Sequence, residues 1–527
     1  MKVIFYSLIA TFSISAVAQD STSRYTKKIP LTETELQRWS HLDLEKDSIP
    51  GMSVDKAYAE LLKDKKGAKV IVAVIDSGTD IDHPDLKGAI WTNPKEIAGN
   101  KKDDDKNGYV DDIHGWNFLG NSYNETLEMT RILKKADDGS EVYKKALADY
   151  TKQYNKMMGY KQPVDMLYEA DKTIREELKK DDYTLEELKN VSSVKYKLYQ
   201  SKMILLSYAE DVGEKFREDL TSFKNHVYDN LNYKLNKEFD GRKVVGDNPE
   251  NFDDRKYGDN KVFGPNKENT EHGTHVAGII AQKRSNNIGG DGVSNNVEIM
   301  AIRAVPNGDE YDKDIALAIR YAVDNGAKVI NGSFGKDFSP HAEWVWEAIK
   351  YAESKDVLFV HAAGNDGKDI DVEENFPTDS QDKNTEIVSN FLQIGALNYE
   401  YGEKIIADFS NYGTKNVDIF APGVKIYATL PNGKFKYLQG TSMASPNAAG
   451  VAALIRSHYP NLKASQVKEI IMQSGTPIDM VVNVGENGEK RNFSEASVSG
   501  KIVNAYNALK MAEELSKQPT LEKKIKT

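Results

Sequence analysis

The chain has 527 residues, of which 39% are hydrophobic and 29% are charged, and its formal net charge at pH 7 is −11. This composition is typical of a globular protein with room for more than one core, and it excludes a disordered or collagen-like chain. The acidic balance argues against nucleic-acid binding, because phosphate backbones are bound by basic surfaces. The chain has no cysteine, which excludes disulfide bonds and a thiol nucleophile.

The first eighteen residues are typical of a secretory signal peptide. Lys2 precedes an apolar stretch from Val3 to Ile14, and the tripeptide Ala-Val-Ala at 16–18 is a small-residue cleavage site. We therefore predict cleavage after Ala18 and a secreted or periplasmic protein. No later apolar stretch has the length of a transmembrane helix, and there is no cysteine that would carry a lipid anchor.

Four apolar runs are typical of buried parallel strands, and they lie at 69–75, 327–335, 356–365 and 391–397. Segments of helical length lie between them, such as "KDIALAIRYAVDNGA". This alternation predicts an α/β fold in which helices cover both faces of a parallel sheet. In such folds the reactive groups lie at the carboxyl ends of the strands.

The segment from Glu125 to Phe239 has a different character, with few strand formers and much Lys, Glu, Tyr and Leu. Apolar residues recur at helical intervals in two stripes: Tyr143, Leu147, Tyr150, Tyr154 and Met157, and Phe216, Leu220, Phe223, Val227 and Leu231. Thr184 and Glu187 fit a capping box that begins another helix. The pattern predicts helices that pack on one another or on the core, and it favours this over a membrane or cofactor role.

Three motifs carry residues with complementary chemistry. Asp76 follows a predicted strand in "VIDSGTDIDHPDL", His272 begins an apolar helix in "EHGTHVAGIIA", and Ser442 precedes an alanine-rich run in "GTSMASPNAAG". A serine hydroxyl becomes nucleophilic when an imidazole takes its proton, and a buried carboxylate fixes the tautomer of that imidazole. Each residue alone is more often a cap, but the three together, with Asn365 in "AAGND", favour nucleophilic catalysis.

These motifs, in this order, resemble those of the subtilase family of serine peptidases. The resemblance implies that Asp76 orients the base, His272 is the base, Ser442 is the nucleophile and Asn365 donates to the oxyanion. His275, the second histidine of its motif, is not the base in the family. The implied activity is that of a serine endopeptidase acting on polypeptides. A catalytically silent binding protein and a hydrolase of esters are the alternatives.

The resemblance covers roughly residues 55–125 and 255–512, so the helical segment is an insertion between the Asp and His motifs. The predicted organisation is a subtilisin-like peptidase domain at 56–124 and 246–512, a helical insertion at 125–245, an N-terminal extension at 19–55 and a polar tail at 513–527. The extension is shorter than the folded prodomain of many subtilases, and we expect it to pack along the core. The insertion is expected to gate the cleft, to bind a partner, or to do neither.

The resemblance also implies where substrate binds. In the family an extended peptide pairs with two segments, which correspond here to 333–335 and to 304–310. The implied substrate-binding residues are Ser333, Phe334, Gly335, Ala363 and Gly364. Asp366 and the acidic loop at 371–377 lie near the rim of this predicted pocket. These acids either favour basic or polar side chains or are a solvated surface.

No cofactor is expected for catalysis, because the triad needs none, but structural calcium is suggested by an acidic loop. Gly108 stands at the sixth position of a calcium-loop pattern whose oxygen donors are Asp103, Asp105, Asn107 and Asp111. His114 stands at the twelfth position, where a bidentate glutamate belongs. A calcium loop closed by another acid, such as Asp112, and a hydrated turn are equal alternatives.

A second candidate calcium site comes from the resemblance alone. Asp85 in "HPDL" and Asn287 in "SNNIGGDG" are similar to a calcium site that is common in subtilases. The latter loop has one residue more than the family's pattern.

Overall fold

A computed structural model describes residues 25–27, 29–192 and 194–517. The predicted signal peptide lies outside these described residues, as does most of the predicted polar tail. Within the described ranges, no helix combines the length and the apolarity that crossing a membrane requires.

Parallel strands form the centre of the molecule. The strands of the described chain are, in order, β1 (Val70–Asp76), β2 (Gly115–Asn117), β3 (Val297–Arg303), β4 (Val329–Gly332), β5 (Leu358–Ala362), β6 (Phe391–Leu397), β7 (Ile419–Pro422), β8 (Ile426–Leu430), β9 (Lys434–Leu438), β10 (Thr476–Pro477), β11 (Val481–Val484), β12 (Glu489–Asn492) and β13 (Lys501–Ile502). Nine of them form one sheet in the order β10, β13, β7, β6, β5, β4, β1, β3, β2. Only the edge pair of β10 and β13 is antiparallel among these described strands. The four predicted strands are confirmed as β1, β4, β5 and β6.

Helices cover both faces of this sheet. The helices of the described chain are, in order, α1 (Glu33–Arg38), α2 (Leu44–Asp47), α3 (Val54–Ala57), α4 (Glu128–Ile132), α5 (Glu141–Leu178), α6 (Leu185–Asn190), α7 (Tyr196–Val212), α8 (Phe216–Asp229), α9 (Glu271–Ala281), α10 (Asp312–Asp324), α11 (Ala342–Ser354), α12 (Thr441–His458), α13 (Ala464–Ser474) and α14 (Ala505–Ser516). Successive strand residues point to opposite faces. Val72 and Val74 therefore pack with α9 and α12, whereas Ala73 and Ile75 pack with α10 and α11. The predicted α/β class is confirmed.

The register of the sheet brings distant motifs together. β1 lies between β3 and β4, and its last residue, Asp76, is opposite Arg303 of β3. Asn365 follows the end of β5, and Ser442 is the second residue of α12, which packs against β4, β5 and β6. Because the carboxyl ends of parallel strands share one edge, the candidate catalytic side chains lie at that edge.

The residues at 125–245 contain α4 to α8 and have two separate hydrophobic cores. The distal core joins the second half of α5 to α6, α7 and α8 through Val164, Leu205 and Phe216. The proximal core joins α4 and the first half of α5 to the peptidase domain, because Met129 and Phe338 lie in the same cluster. The distal half of the insertion therefore packs on itself, whereas its base packs on the catalytic core.

The predicted local features of the insertion are confirmed in part. Thr184 and Glu187 form the predicted capping box at the start of α6, and three residues of the second stripe are buried in α8: Phe216, Leu220 and Val227. The first stripe is only partly buried, because Leu147 is 45% exposed and Tyr154 is 37% exposed. In this half of α5 the main packing neighbours are α4 and the turn at 230–234, so only a narrow face of the helix is covered.

The described part of the N-terminal extension packs against the catalytic core. Trp39 is 1% exposed, and its indole N–H donates to the carbonyl of Val424 at 3.0 Å. Arg38 forms ion pairs with Asp55 at 2.8 Å and with Asp291 at 2.5 Å. These contacts fix residues 38–55 on the domain that carries the motifs.

Candidate active site

The first pair in the site is Asp76 and His272. Asp76 is 1% exposed at the end of β1, and its Oδ1 accepts from His272 Nδ1 at 2.8 Å and from the backbone N–H of Ser77 at 2.7 Å. Oδ2 of Asp76 is buried and has no hydrogen-bond partner among the described residues. A carboxylate bonded to Nδ1–H leaves Nε2 of the imidazole free to accept a proton.

A glycine allows the start of α9 to lie close to the end of β1. A Cβ atom at Gly273 would lie 2.1 Å from the carbonyl oxygen of Gly78 and 3.1 Å from Asp76 Oδ1. Real Cβ atoms do not approach a carbonyl oxygen so closely, so α9 begins beside β1 only because residue 273 has no side chain.

The local electrostatics favour the charged form of the imidazole. Removal from bulk water lowers the pKa of His272, but the negative charge of Asp76, its hydrogen bond and the nearby charge of Glu271 outweigh this effect. The net result is a pKa above its ordinary value. His275, by contrast, is buried and donates from Nε2–H to the carbonyl of Lys436 at 3.1 Å, and burial lowers its pKa to about 3. His275 is therefore unsuited to act as the base.

Ser442 lies in the first turn of α12, after Gly440, whose φ of 147° favours glycine. The first four backbone N–H groups of a helix have no partner within the helix, and that of Ser442 is one of them. In the described structure Ser442 Oγ donates to the carbonyl of Ser333 at 3.3 Å rather than to His272. The candidate nucleophile is thus bonded to a backbone carbonyl and not to the candidate base.

Asn365 is oriented by a residue that the sequence reasoning missed. Its Oδ1 accepts from the backbone N–H of Thr441 at 2.8 Å and from the Thr441 hydroxyl at 3.0 Å. The amide nitrogen of Asn365 has no protein acceptor among the described residues, so it is available to a ligand. The position of Thr441, one residue before Ser442, was the only sequence signal for this role.

A cavity of about 320 Å³ lies beside Ser442 and Asn365. Three of the predicted substrate-binding residues line it: Phe334, Gly335 and Gly364. Asp366 of the predicted rim and Asn375 of the acidic loop also line it. This cavity therefore coincides with the predicted substrate pocket.

Two predicted substrate-binding residues do not line the cavity. The hydroxyl of Ser333 donates to the carbonyl of Ser442 at 2.9 Å, so this side chain contacts the backbone of Ser442 and does not face the cavity. Ala363 is fully buried, and its neighbour Ala362 lines the cavity instead. Alternation along an extended chain explains the difference, because adjacent residues point to opposite sides.

The insertion contributes directly to this cavity. Leu127 precedes α4, Met129 belongs to α4 and Gln153 belongs to α5, and all three line the cavity that contains Ser442. The sequence offered no signal for this contribution, since nothing in a helical stripe identifies the distant segment that it faces.

The second predicted substrate-binding segment, 304–310, is occupied by the chain itself. The backbone N–H of Asn307 donates to Tyr123, that of Asp309 donates to Thr126, and Glu125 donates to the carbonyl of Asn307. The remaining N–H groups of 304–308 donate to Asp76 or within the segment, and Pro306 has none. The expectation of an open strand edge is therefore wrong for the N–H groups of this segment. They are already bonded within the chain, in part to residues 123–126.

A second groove, of about 460 Å³, lies on the other side of the catalytic residues. His272 lines it together with Tyr123, Asn307, Leu438 and Met443. The site thus has one cavity beside Ser442 and Asn365 and one groove beside His272.

Three carboxylates of the acidic loop lie close together. One oxygen each of Glu96, Asp105 and Asp112 lies within 4.8 Å of the others, and Glu96 Oε2 is buried without a hydrogen-bond partner. Burial raises the pKa of Asp112 to about 6, and the neighbouring charges of Asp105 and Glu96 add to this effect. Asn107 donates to Asp112 at 3.1 Å. Glu96 escaped the sequence reasoning because it precedes the loop pattern.

Two of the predicted calcium ligands are used differently. Asp103 accepts from the backbone N–H groups of the turn at 107–108, at 3.0 and 2.9 Å. Asp111 has a φ of 52° and accepts from the backbone at residues 99 and 101, at 3.0 and 2.8 Å. The chain reverses at Asp111, so its carboxylate lies with this earlier turn while Asp105 joins the three-carboxylate cluster.

The second candidate calcium pair is not brought together. Asp85 is fully buried and accepts from the side-chain amides of Gln282 and Asn286. Asn287 is exposed, with a φ of 62°. The extra residue in this loop shifts the register by one, so Asn286 takes the position expected of Asn287.

Comparison with known proteins agrees with this arrangement. A segment of 208 residues is 41% identical to the thermophilic serine proteinase of Bacillus sp. (strain AK1), covering 39% of this chain and 47% of that protein. A segment of 216 residues is 36% identical to subtilisin DY of Bacillus licheniformis, covering 40% of this chain and 72% of that protein. The match thus spans less than half of the length of the first relative.

A solved structure, that of the prenylagaramide maturation protease PagA, aligns with 46% of this chain and 82% of that chain, with 28% identity and a TM-score of 0.38. The model of the subtilase family matches residues 67–496, a range that includes all three catalytic motifs and the insertion. The chain therefore belongs to the subtilase family.

Proposed function

We propose that this protein is a serine endopeptidase that uses Asp76, His272 and Ser442 as its triad. The hydrogen bond of 2.8 Å between Asp76 and His272, at the strand edge that also carries Ser442, is the observation that carries the proposal. In this arrangement Nε2 of the imidazole is free to accept the proton of a serine hydroxyl.

The proposed reaction begins with a rotation of the Ser442 side chain from the carbonyl of Ser333 towards Nε2 of His272. Ser442 Oγ then attacks the peptide carbonyl carbon while His272 takes its proton. The Asn365 amide and the Ser442 N–H donate to the oxyanion, and each such donor is typically worth ~3 kcal/mol of barrier. His272 next protonates the leaving amine, and water hydrolyses the acyl-enzyme by the same steps.

This chemistry assigns the cavity beside Ser442 and the groove beside His272 to the two parts of the substrate. The leaving amine must be within reach of His272, so the groove beside His272 receives the carboxyl-terminal part of the substrate. The acyl part is bonded to Ser442, so the cavity beside Asn365 receives the amino-terminal part. The N–H and C=O of the exposed Gly335 have no backbone partner among the described residues, which supports pairing of an extended substrate there.

We propose a secreted or periplasmic location, supported by the signal-like sequence at 1–18. We also propose that the distal half of the insertion limits the access of folded proteins to the cleft. The position of Gln153 supports this second proposal, because this residue of α5 lines the cavity and the same helix continues into the distal core from Val164 onwards.

Structural calcium is proposed at Glu96, Asp105 and Asp112. Their three carboxylates and the unpartnered oxygen of Glu96 fit a cation that prefers oxygen ligands. Bound there, calcium would neutralise the mutual repulsion of the carboxylates and fix the loop at 93–114. It would take no part in the reaction.

Activity-based labelling tests the proposed function. A fluorophosphonate should label the wild type but not Ser442→Ala, and only the wild type should cleave casein. Absence of labelling would favour a silent binding protein, and labelling without peptide cleavage would favour an esterase. Circular dichroism of Ser442→Ala checks that the variant remains folded.

A further inference from the structure

The insertion provides one end of the cavity that contains the candidate nucleophile. Leu127, Met129 and Gln153 line this cavity together with Ser442 and Asn365. The peptidase domain alone would leave this end open. The insertion is therefore part of the binding surface and not only an appendage on it.

We propose that Leu127, Met129 and Gln153 form a specificity wall, which favours an apolar substrate side chain on the amino-terminal side of the scissile bond. This inference rests on the proposed peptidase function. It assigns a substrate class to residues that lie outside the catalytic motifs.

Buried ion pairs hold the wall segment at 127–129 against the peptidase domain. Glu128, which lies between two wall residues, accepts from the ammonium of Lys336 at 3.0 Å and from Arg131 at 2.6 Å. The Lys336 and Glu128 side chains are 2% and 8% exposed. Lys336 directly follows Gly335, so the wall is tied to the segment that pairs with substrate.

Two of the three wall residues, Leu127 and Met129, are apolar, and Gln153 is the polar one. Leu127 and Met129 face a cavity that Phe334 and Phe338 also line. The carboxylate at this end, Asp309, already accepts from the backbone N–H of Glu128 at 2.7 Å. An apolar side chain loses little by entering such a place, whereas a cationic one would lose hydration for a carboxylate that is already engaged.

The pairing of residues 123–126 with 307–309 makes side-chain contacts in the cavity more important for substrate specificity. With that edge occupied, a substrate has fewer backbone donors to bond than in a cleft with two open edges. A larger share of the discrimination must then come from side-chain contacts in the cavity. The wall provides these contacts on one side, and the Phe334 side chain provides them on the other.

Three variants test the wall in the full-length protein. Met129→Ala removes most of an apolar wall residue, and Gln153→Ala removes an amide that makes no hydrogen bond among the described residues. Gln162→Ala is the matched control, because Gln162 is an exposed glutamine of the same helix and does not line the cavity. Met129→Leu keeps the apolar volume, so it should retain the wild-type profile, and Gln153→Ala keeps the wall testable where Met129→Ala fails to fold.

The measurement is the cleavage profile of a peptide library, read by mass spectrometry. We expect the wild type to prefer Leu, Met or Phe over Ala at one position within four residues before the scissile bond, by at least about tenfold. Met129→Ala and Gln153→Ala should each reduce this preference by at least about threefold. Gln162→Ala should retain the wild-type profile.

Fluorophosphonate labelling separates the two proposals. A wild type that is neither labelled nor active would overturn the peptidase function and the wall with it. A labelled, active wild type whose profile is unchanged in Gln153→Ala, and in Met129→Ala where that variant folds, would overturn the wall alone. A preference for Lys or Arg at the selected position, or changes confined to positions after the scissile bond, would also overturn it.

Discussion

Lys336, which directly follows Gly335, donates a hydrogen bond from its ammonium group to the carboxylate of Glu128, in the insertion, at 3.0 Å. Both side chains are almost completely buried. Removing one partner of a buried ion pair leaves a charge that neither water nor protein compensates. The insertion and the cleft are therefore energetically coupled at this point.

Substitution of Glu128 tests this coupling. We expect Glu128→Ala to lower the free energy of unfolding by about 3 kcal/mol, because Arg131 loses its buried counter-charge and Lys336 keeps only Asp312, at 2.9 Å. The matched control is Glu141→Ala, whose side chain is 90% exposed and pairs with Lys144 at 2.7 Å. It should cost less than about 0.5 kcal/mol. Equal costs in urea unfolding would contradict the coupling.

Truncation separates the two halves of the insertion. Tyr160 and Phe223 are in ring contact at 5.6 Å, so residues 161–222 can be replaced by a short Gly/Ser linker. We expect this variant to fold and to cleave small chromogenic peptides, with a higher ratio of casein cleavage to peptide cleavage. An unchanged ratio would remove the proposed restriction of access.

Replacement of the whole insertion, 125–245, should have a different outcome. It removes Glu128 and also Arg242, whose guanidinium donates to the fully buried Asp314 at 2.8 Å. We expect an insoluble or unfolded product, because several buried charges lose their partners together. Recovery of a stable, soluble enzyme from this longer deletion would show that the buried pairs are dispensable.

Asn365→Ala should lower kcat by about a hundredfold to a thousandfold with little change in KM, because its amide acts mainly when the oxyanion forms. Steady-state kinetics with a chromogenic peptide measure both constants. A defect confined to KM would mean that Asn365 binds the ground state instead.

The pH profile should report the environment of His272. Its pKa is raised above 6.5, because the charge and hydrogen bond of Asp76 outweigh desolvation. Protonated His272 cannot accept the proton of Ser442, so kcat/KM should fall as the pH decreases through a pKa above 6.5. In Asp76→Asn this limb should move to lower pH and kcat should drop about 10⁴-fold. A wild-type limb below 6.5 would contradict the pairing.

Calcium should raise the thermal stability of the chain if it binds at the three-carboxylate cluster. Addition of calcium to chelator-treated protein should increase Tm, and Asp105→Asn should abolish the increase. Asp103→Asn should retain it, because that carboxylate accepts from the backbone at 107–108. The opposite result for the two variants would favour the ligand set that the sequence pattern predicted.

The sequence predicted the features that depend on local patterns. The apolar run of β1, the capping box of α6 and the motifs around Asp76, His272 and Ser442 could all be identified without coordinates. The position of Met129 beside Ser442 could not, since helical periodicity specifies a buried face but not its neighbour. The sequence identified Asp105 of the three-carboxylate cluster but could not place Asp111, because the reversal at Asp111 depends on backbone conformation and not on residue spacing.

The occupied edge at 307–309 also has a consequence for inhibitor design. In an extended ligand, alternate C=O groups point to opposite sides, and the N–H groups of the described segment at 304–309 are already bonded. The ligand C=O groups that face this segment would therefore have few donors to lose. A peptidomimetic with methylene groups in place of those alternate carbonyls would keep its pairing with Gly335, and it would be a poor ligand for proteases that bond both sides of an extended substrate.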